Sequence, residues 1–394
     1  MENSVVYLDH HATTPVDPRV LEVMLPYFTQ VYGNPASIGH LPGEAAKEAV
    51  EQAQAEIAGC LGAQAREIVF TSGATESNNL AIFGVLRRRK RRGDHVISVT
   101  IEHRAVLDPL ESVQHQGFEV TLLQPQPHGH AETGRLDPQQ ISTAIRDDTA
   151  LVSVMLANNE IGAIQDIAAI GEICRERSVP FHCDATQGVG KVVVDVEAMQ
   201  VDLMSFTAHK MYGPKGIGAL YVRGSAPRVR LDPQILGGGQ QRGLRSGTLN
   251  VPGIIGLAAA LRISLAEREE ETERLIGLRS RLFDGLRAEL PELVLNGPTL
   301  DRPTLRLAGN LNVAIPGVDG EALMMNVRQI AVSSGSACTS ANPEPSHVLR
   351  ALGLSDDLTR SSLRFGLGRF NTSAEIDFAV EVVSKAVHKL RKLV

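Results

Sequence analysis

The sequence has few cysteines, no excess of positive charge and no long apolar run, and each absence excludes a class of protein. Four cysteines in 394 residues are too few for a disulfide scaffold, and the lack of a CxxC pair argues against a zinc ribbon or thioredoxin-like site. The formal net charge of −6 gives no general attraction for nucleic acid or anionic membranes. No apolar stretch is long enough to span a bilayer. We therefore expect a protein of the reducing cytoplasm that binds no nucleic acid, membrane or metal.

Two local features leave this expectation unchanged. Residues 1–17 contain neither a basic region nor an apolar core, so no secretory signal is expected. Six basic residues follow one another over residues 87–92 and stop at Gly93, a pattern typical of a solvated helix end.

Short apolar, β-branched runs alternate with helical patterns between about residues 66 and 222. This alternation predicts a mostly parallel sheet with right-handed crossovers. Several runs are apolar on both faces, as in strands that helices cover on each side. The predicted strands are residues 67–71, 95–100, 120–123, 151–155, 180–184, 203–206 and 218–222.

The pattern changes after about residue 262, where leucines recur every three or four positions on one helical face. A final helix is predicted from the capping-box spacing of Thr372 and Glu375. We expect an α/β fold with a large domain, residues 16–262, whose seven-stranded, mostly parallel sheet lies between helices. Residues 1–15 and 263–394 are expected to form a smaller α+β domain. The leucines of the stripe are Leu275, Leu278, Leu282, Leu286 and Leu290.

Lys210 is the first candidate for chemistry. It follows an apolar strand and precedes the Gly/Pro-rich residues 211–216, where the backbone can approach a ligand closely. Partial desolvation at an apolar strand end favours a neutral amine, which can form a Schiff base. Because most lysines lie at the surface, this residue alone is weak evidence.

Asp184 strengthens the argument, because it places a carboxylate at the end of another apolar strand. An acid that faces the ring nitrogen of pyridoxal phosphate (PLP) keeps it protonated, so that the ring acts as an electron sink. The alternative for Asp184 is a helix N-cap. Gln187 could donate a hydrogen bond to the phenolic oxygen of the ring.

The third feature is a small-residue turn in residues 71–78, where a strand ends and a helix begins. Exposed N–H groups and the helix dipole suit a phosphate there. The hydroxyls of Thr75 and Thr207, together with His209, can complete such a site. The segment is not a Walker motif, because GxxxxGK[ST] is absent, and small polar turns are common.

Taken together, these motifs resemble those of the cysteine desulfurases of the NifS/IscS kind, within the fold-type I, class V aminotransferase-like PLP enzymes. The resemblance extends from Tyr7 to Arg369. The matching segments are residues 7–15, 33–37, 71–79, 102–106, 158–162, 184–187, 209–216, 237–239 and 245–248.

The resemblance implies a role for each residue that contacts the ring. Lys210 is then the Schiff-base lysine, and Asp184 is the partner of the ring nitrogen. Gln187 and Asn159 lie at the phenolic oxygen or the ring face. His103 stacks on the ring and moves protons, although without its motif a satisfied histidine at a strand end is the simpler interpretation.

The resemblance also implies how the phosphate is bound. Thr207 replaces a serine that is common in the family, and it keeps the hydroxyl. Thr248 would reach the phosphate of the neighbouring subunit, which implies a homodimer with shared sites. The residues of the same subunit that would hold the phosphate are Ala74, Thr75, Thr207 and His209.

Cys338 is the candidate for sulfur handling. Small and polar residues surround it, which predicts an accessible thiol on a mobile loop of about residues 331–345. The segment resembles the family branch with the longer, mobile cysteine loop. Cys60, Cys174 and Cys183 lie in helical or strand patterns and are expected to be packing residues.

Recognition of the substrate carboxylate should fall to an arginine, because the planar guanidinium binds a carboxylate through two hydrogen bonds. Residues 361–370 resemble the family segment that supplies it. Of the two arginines there we choose Arg364 over Arg369, with Asn34 assisting.

The expected reaction is removal of sulfur from L-cysteine to give L-alanine and a persulfide on Cys338. The persulfide would then supply an iron–sulfur scaffold protein or another acceptor. A selenocysteine lyase could use the same site, whereas a class V aminotransferase would need no cysteine. A sulfur-delivery scaffold that acts mainly by binding partners is the alternative outside enzymes. The chain ends at Val394 without the longer tail of IscS-like members, which favours the shorter NifS-like form.

Overall fold

A computed structural model describes residues 5–37, 39–88, 93–226, 228–334 and 345–393 of the chain. The strands are β1 (Val6–Tyr7), β2 (Ile68–Thr71), β3 (His95–Val99), β4 (Glu119–Leu123), β5 (Thr149–Ser153), β6 (Phe181–Asp184), β7 (Leu203–Thr207), β8 (Gly218–Val222), β9 (Val294–Asn296), β10 (Asn310–Ala314), β11 (Ile330–Ala331), β12 (Ser333–Ser334) and β13 (Ser362–Gly366).

The helices connect these strands and cover them. They are α1 (Pro18–Met24), α2 (Pro26–Thr29), α3 (Leu41–Leu61), α4 (Ala74–Arg88), α5 (Arg104–Gln114), α6 (Pro138–Ala144), α7 (Ile167–Glu176), α8 (Val251–Ala266), α9 (Arg268–Glu289), α10 (Gly320–Asn326), α11 (His347–Ala351), α12 (Asp356–Arg360) and α13 (Ser373–Arg391).

The largest sheet of the described residues has seven strands in the order β2-β8-β7-β6-β5-β3-β4. Strand β8 runs antiparallel to β2 and β7, and the other neighbours are parallel. The sequence prediction of a mostly parallel seven-stranded sheet is therefore confirmed. The predicted strands match the observed ones within about two residues at each end.

Alternate side chains of this sheet enter two different hydrophobic clusters. Met204 packs in the cluster that contains residues of α3 and α8. Leu203, its neighbour in β7, packs in the cluster that contains residues of α4 and α5. Because successive residues of a strand point to opposite faces, helices cover the sheet on both sides. This explains why the central strands are apolar on both faces.

A smaller antiparallel sheet, β12-β13-β10-β9, packs with α9 and α13 around a hydrophobic cluster of its own. The predicted leucine stripe of α9 is buried in this cluster. Thr372 and Glu375 form the predicted capping box at the start of α13. Because α8 runs on to Ala266, we propose that the large domain ends there rather than after residue 262.

Within the described ranges, no helix combines the length and apolar character that crossing a membrane requires.

Candidate active site

A cavity of about 500 Å³ lies where β5, β6 and β7 end. The carboxyl ends of parallel strands meet at one edge of a sheet, so residues that are distant in sequence converge there. The sequence-predicted residues that line the cavity are Ala74, Thr75, His103, Asn159, Asp184, Gln187, Thr207, His209, Lys210 and Arg364.

Lys210 lies in the floor of this cavity. It ends a short 3₁₀ turn, Ala208–Lys210, which follows β7 directly. Its Nζ donates to the carbonyl oxygens of His11 (2.7 Å) and Ala12 (2.6 Å). The N-terminal segment therefore holds the amine at the cavity.

Asp184 is the last residue of β6, and it is almost completely buried. Its Oδ2 accepts a hydrogen bond from Nδ2 of Asn78 (2.7 Å), and its Oδ1 accepts from the backbone N–H of Thr186 (3.0 Å). Both donors are neutral, so they hold the carboxylate in place by hydrogen bonds and form no ion pair with it. Such a carboxylate can still accept a hydrogen bond from a protonated ring nitrogen.

The first turn of α4 forms one wall of the cavity. The helix begins at Ala74, so the N–H groups of its first residues have no acceptor within the helix. Thr75 is exposed at this end, and Thr207 lies close by on β7. An anion bound there would meet backbone N–H groups, a hydroxyl and the positive end of the helix dipole.

Positive charge surrounds the same wall. The ring of His209 lies with Nδ1 3.1 Å from Oγ1 of Thr13. Burial, together with the charges of Lys210, Lys215 and Lys191, lowers the pKa of His209 to about 4. His209 is therefore neutral near pH 7, and the lysines provide the field that a phosphate requires.

His103 is the N-cap of α5 and opens to the cavity. Its Nδ1 accepts a hydrogen bond from the backbone N–H of Ala105 (3.0 Å). Burial of the His103 ring lowers the pKa of this histidine, and the charge of Asp184 opposes the shift in part. A neutral His103 in this position must carry its proton on Nε2, so it presents a donor.

Arg364 also lines the cavity, and it lies in the middle of β13. Its Nη2 donates to Asp9 and to Oγ of Ser333, both at 2.8 Å, and its Nη1 donates to the carbonyl oxygen of Asn159 (3.2 Å). The guanidinium is thereby fixed at the mouth of the cavity.

Comparison with known proteins identifies the family. The chain matches the model of the class V aminotransferases over residues 6–378. It belongs to this family. The cysteine desulfurase IscS of Anaeromyxobacter dehalogenans (strain 2CP-C) is 56% identical over 388 residues, which cover 98% of this chain and 94% of the relative.

Solved structures agree with this result. A NifS-like protein superposes with a TM-score of 0.89 at 35% identity, over 98% of this chain and 100% of that chain. SspA in complex with cysteine gives a TM-score of 0.79 at 38% identity, over 93% of this chain and 100% of that chain. The resemblance to NifS/IscS cysteine desulfurases, the fold-type I architecture and the PLP cofactor expected from the sequence are confirmed.

The cavity of this class V family member fits PLP by its donor set. A buried carboxylate at Asp184 suits a protonated ring nitrogen, the amine of Lys210 can bind the aldehyde carbon, and the start of α4 suits a phosphate. Among the described residues, no cluster of His, Cys, Asp and Glu could hold a metal ion.

Two predicted site residues lie elsewhere in the monomer. Asn34 and Thr248 are exposed and line a separate shallow pocket of about 220 Å³ together with Gln240 and Gln241. Arg369, which the sequence analysis set aside, contacts Asp17 (2.7 Å) in a neighbouring cavity. Of these two arginines, Arg364 lines the cavity that contains Lys210 and Asp184.

Cys338 lies outside the described residues, and so does most of the predicted loop. Described residues before and after it in the chain contact residues that line the cavity or lie next to its lining. Ser333 accepts from Arg364, and Nε2 of His347 lies 2.9 Å from the carbonyl oxygen of Glu102, next to His103.

Sequence reasoning missed four residues that complete the site. His11 and Asp9 belong to the segment quoted for the resemblance, but no pattern assigned them a contact. Asn78 lies one helical turn after Ala74 on α4, a spacing that could have placed it at the cavity. No sequence pattern indicated Lys191, because its contact with Gln187 depends on how the chain turns between the two residues.

Proposed function

We propose that this protein is a PLP-dependent cysteine desulfurase that transfers sulfur from L-cysteine to Cys338. One observation carries the proposal: the amine of Lys210, the carboxylate of Asp184, the start of α4 and the guanidinium of Arg364 all line one cavity. An amino acid held by its carboxylate at Arg364 would direct its α-amino end toward Lys210. The proposed role of each of these residues rests on this convergence.

PLP, when bound, supplies the electron sink that weakens the bonds around the α-carbon of the substrate. Asp184 would keep the ring nitrogen protonated, and Gln187 and Asn159 would hold the ring. Lys210 holds the cofactor and moves the α-proton. Arg364 binds the substrate carboxylate through its guanidinium.

The sulfur step balances without an added oxidant. The Cys338 thiolate attacks the sulfur of L-cysteine, an S–S bond forms, and the Cβ–S bond breaks with its electron pair left on carbon. Protonation of that carbon, together with return of the α-proton from Lys210 to the α-carbon, completes L-alanine, and the enzyme keeps a persulfide. A free thiol has a pKa of about 8.5, so only a few per cent is ionised at pH 7. We assign His103 the role of stabilising the Cys338 thiolate, since its Nε2–H can donate a hydrogen bond to that thiolate.

Chain length allows Cys338 to reach the cavity. It follows Ser334 by four residues, and an extended segment of that length spans at most roughly 14 Å. Ser333, the preceding residue, contacts Arg364 in the cavity wall. A thiol within that distance of the wall can meet the substrate sulfur.

Mass spectrometry after addition of L-cysteine without reductant tests the proposal. We expect a sulfur adduct on Cys338 and release of one alanine for each adduct. Cys338→Ser should keep the visible absorbance of the cofactor and lose alanine production, whereas Cys183→Ser serves as the matched control. A keto acid in place of alanine would indicate transamination and would overturn the proposal.

A homodimer with shared sites explains why Asn34 and Thr248 lie outside the cavity. Both are exposed in the monomer, and the nearby α1–α2 region exposes apolar side chains. Leu25 is 55% exposed, Phe28 57% and Tyr32 72%, which is typical of a protein interface. Sedimentation should give the mass of two chains, and a monomer at micromolar concentration would contradict this assembly.

The acceptor and the compartment follow from the same chemistry. We propose that an iron–sulfur scaffold protein or a thiolation enzyme takes the sulfur, and that the protein works in the cytoplasm. The thiols of Cys60, Cys174 and Cys183 are not disulfide-bonded, which suits a reducing compartment. Transfer of ³⁵S from the loaded enzyme to a purified scaffold would test the acceptor.

A further inference from the structure

Lys191 is a partly buried lysine that the proposed mechanism does not use. It lines a second cavity behind the floor of the catalytic one, together with His10, His11 and Glu271. Its Nζ donates to Oε1 of Gln187 at 2.8 Å. This contact joins Lys191, in the second cavity, to Gln187, which lines the catalytic cavity.

The turn that carries both residues is tightly packed. Gln187 and Lys191 are four residues apart, with Gly188 and Gly190 between them. A Cβ at Gly188 would lie 2.2 Å from Cδ2 of Leu156, and Gly190 adopts a φ of +80°. Larger residues would not fit there, so the backbone holds the lysine against the amide.

The partners of Gln187 fix which end of its amide faces which way. A lysine side chain donates hydrogen bonds, so the amide oxygen must face Lys191. Nε2 of Gln187 donates to the carbonyl oxygen of His11 (2.9 Å), which requires the same orientation. Nδ1 of His11 lies 3.3 Å from the amide oxygen and can add a second donor to it. Gln187 itself lines the catalytic cavity.

We propose that Lys191 is a positioning residue. It fixes the side-chain amide of Gln187 so that the NH2 group of that amide points toward the catalytic cavity. The inference rests on the proposed function, because the oriented N–H then serves the phenolic oxygen of PLP. Burial and the charge of Lys210 lower the pKa of Lys191 to about 7, which the charge of Glu271 opposes. A neutral amine keeps N–H donors, so the orientation holds on both sides of that pH.

The test measures the visible absorbance of the holoenzyme against pH in the absence of substrate. Lys191→Met removes one of the donors to the amide oxygen, so that only the contacts of His11 hold the amide and its N–H is oriented less firmly toward the cavity. We expect the midpoint of the absorbance change to move up by roughly one pH unit, the effect of one lost hydrogen bond. Lys191→Gln, which keeps a donor without charge, should retain a midpoint near that of the wild type.

A double variant separates positioning from a direct charge effect. In a Gln187→Ala background, Lys191→Met should cause no further shift of the midpoint. An equal shift in that background, or a Lys191→Gln midpoint equal to that of Lys191→Met, would overturn the proposal. If Lys191→Met does not fold, Lys191→Gln alone still decides between donor and charge. Wild-type protein that takes up no PLP would instead refute the proposed function.

Discussion

The seven-stranded and four-stranded sheets contribute to the active-site cavity in different ways. The larger sheet presents Asp184 and Lys210 from the ends of its strands, where the chain leaves the sheet. The smaller sheet presents Arg364 from the middle of β13, with Asn312 of β10 and Ser333 of β12 as its strand neighbours. The Asp184 and Lys210 side of the cavity, here called the first wall, is thus made by residues at strand ends. The Arg364 side, the second wall, is made by a residue in mid-strand whose contacts, Asp9 and Asn159, are distant in sequence.

The strongest test of the first wall is Lys210→Ala. We expect alanine production to fall by about 10²–10⁴-fold, because the variant loses both the group that holds the cofactor and the group that moves the α-proton. The measurement is alanine formed per enzyme, with bound PLP quantified after denaturation. Lys385→Ala, on the exposed side of α13, is the matched control. Turnover at the level of this control would remove Lys210 from its proposed position.

Arg369, which lines the neighbouring cavity, tests whether the other arginine of residues 361–370 stabilises the fold. Its guanidinium is 9% exposed, pairs with Asp17 (2.7 Å) and Glu271 (3.0 Å), and lies 4.3 Å from the ring centroid of Tyr212. Arg369→Met leaves the Asp17 carboxylate with fewer partners, so we expect a loss of about 3–5 kcal/mol in the free energy of unfolding.

Denaturant unfolding of the variant measures this loss. The control is Arg281→Met, whose ion pair with Asp377 is about half exposed on both sides, and whose loss should stay below about 1 kcal/mol. Equal effects of the two substitutions would show that the Arg369 network does not stabilise the fold.

Different parts of this picture were accessible from the sequence. The strands of the large sheet could be predicted because burial on both faces leaves nearly continuous apolar runs between helices. Asp184 and Lys210 could be located because each follows such a run. Local patterns therefore defined the first wall almost residue by residue.

The second wall could not be derived in that way. Nothing local distinguishes Arg364 from Arg369, five residues later, and only the family resemblance led to the choice. The contact between Lys191 and Gln187 was equally hidden, because it depends on how two glycines let the turn pack. Hydrophobic periodicity leaves such contacts open, because long-range packing determines them.

The interiors of the two sheets should respond differently to acid. The larger sheet buries His182 between Oγ of Ser153 (2.9 Å) and Oγ of Ser205 (3.0 Å), whereas the smaller sheet buries Asn296 and Asn312. Burial lowers the pKa of His182 to about 4. An unfolded histidine titrates near 6.5, so between these values the unfolded chain binds the extra proton. Stability is complete above about pH 6.5 and falls as the pH drops toward 4.

Thermal or denaturant unfolding of the holoenzyme from pH 7 to pH 4 measures this loss. We expect His182 to account for about 3 kcal/mol over this range. His182→Gln should flatten the slope in this window even if its starting stability is lower, whereas the exposed His115→Gln should leave it unchanged. Identical slopes for His182→Gln and wild type would show that His182 is not held in its neutral form in the folded protein.

Arg364→Lys gives the smallest expected effect and the sharpest test of the second wall. Lysine keeps the charge but loses the planar fork that binds a carboxylate through two hydrogen bonds. We expect KM for L-cysteine to rise by about 10–100-fold, the equivalent of one or two charge-assisted hydrogen bonds, with a smaller change in kcat. The decisive comparison uses cysteamine, which lacks the carboxylate, with binding measured through the visible absorbance of the cofactor. If Arg364 binds the carboxylate, wild type and variant should bind cysteamine equally. A matching loss of affinity for cysteamine would mean that Arg364 acts by holding Asp9 and Ser333 in place rather than by contacting substrate.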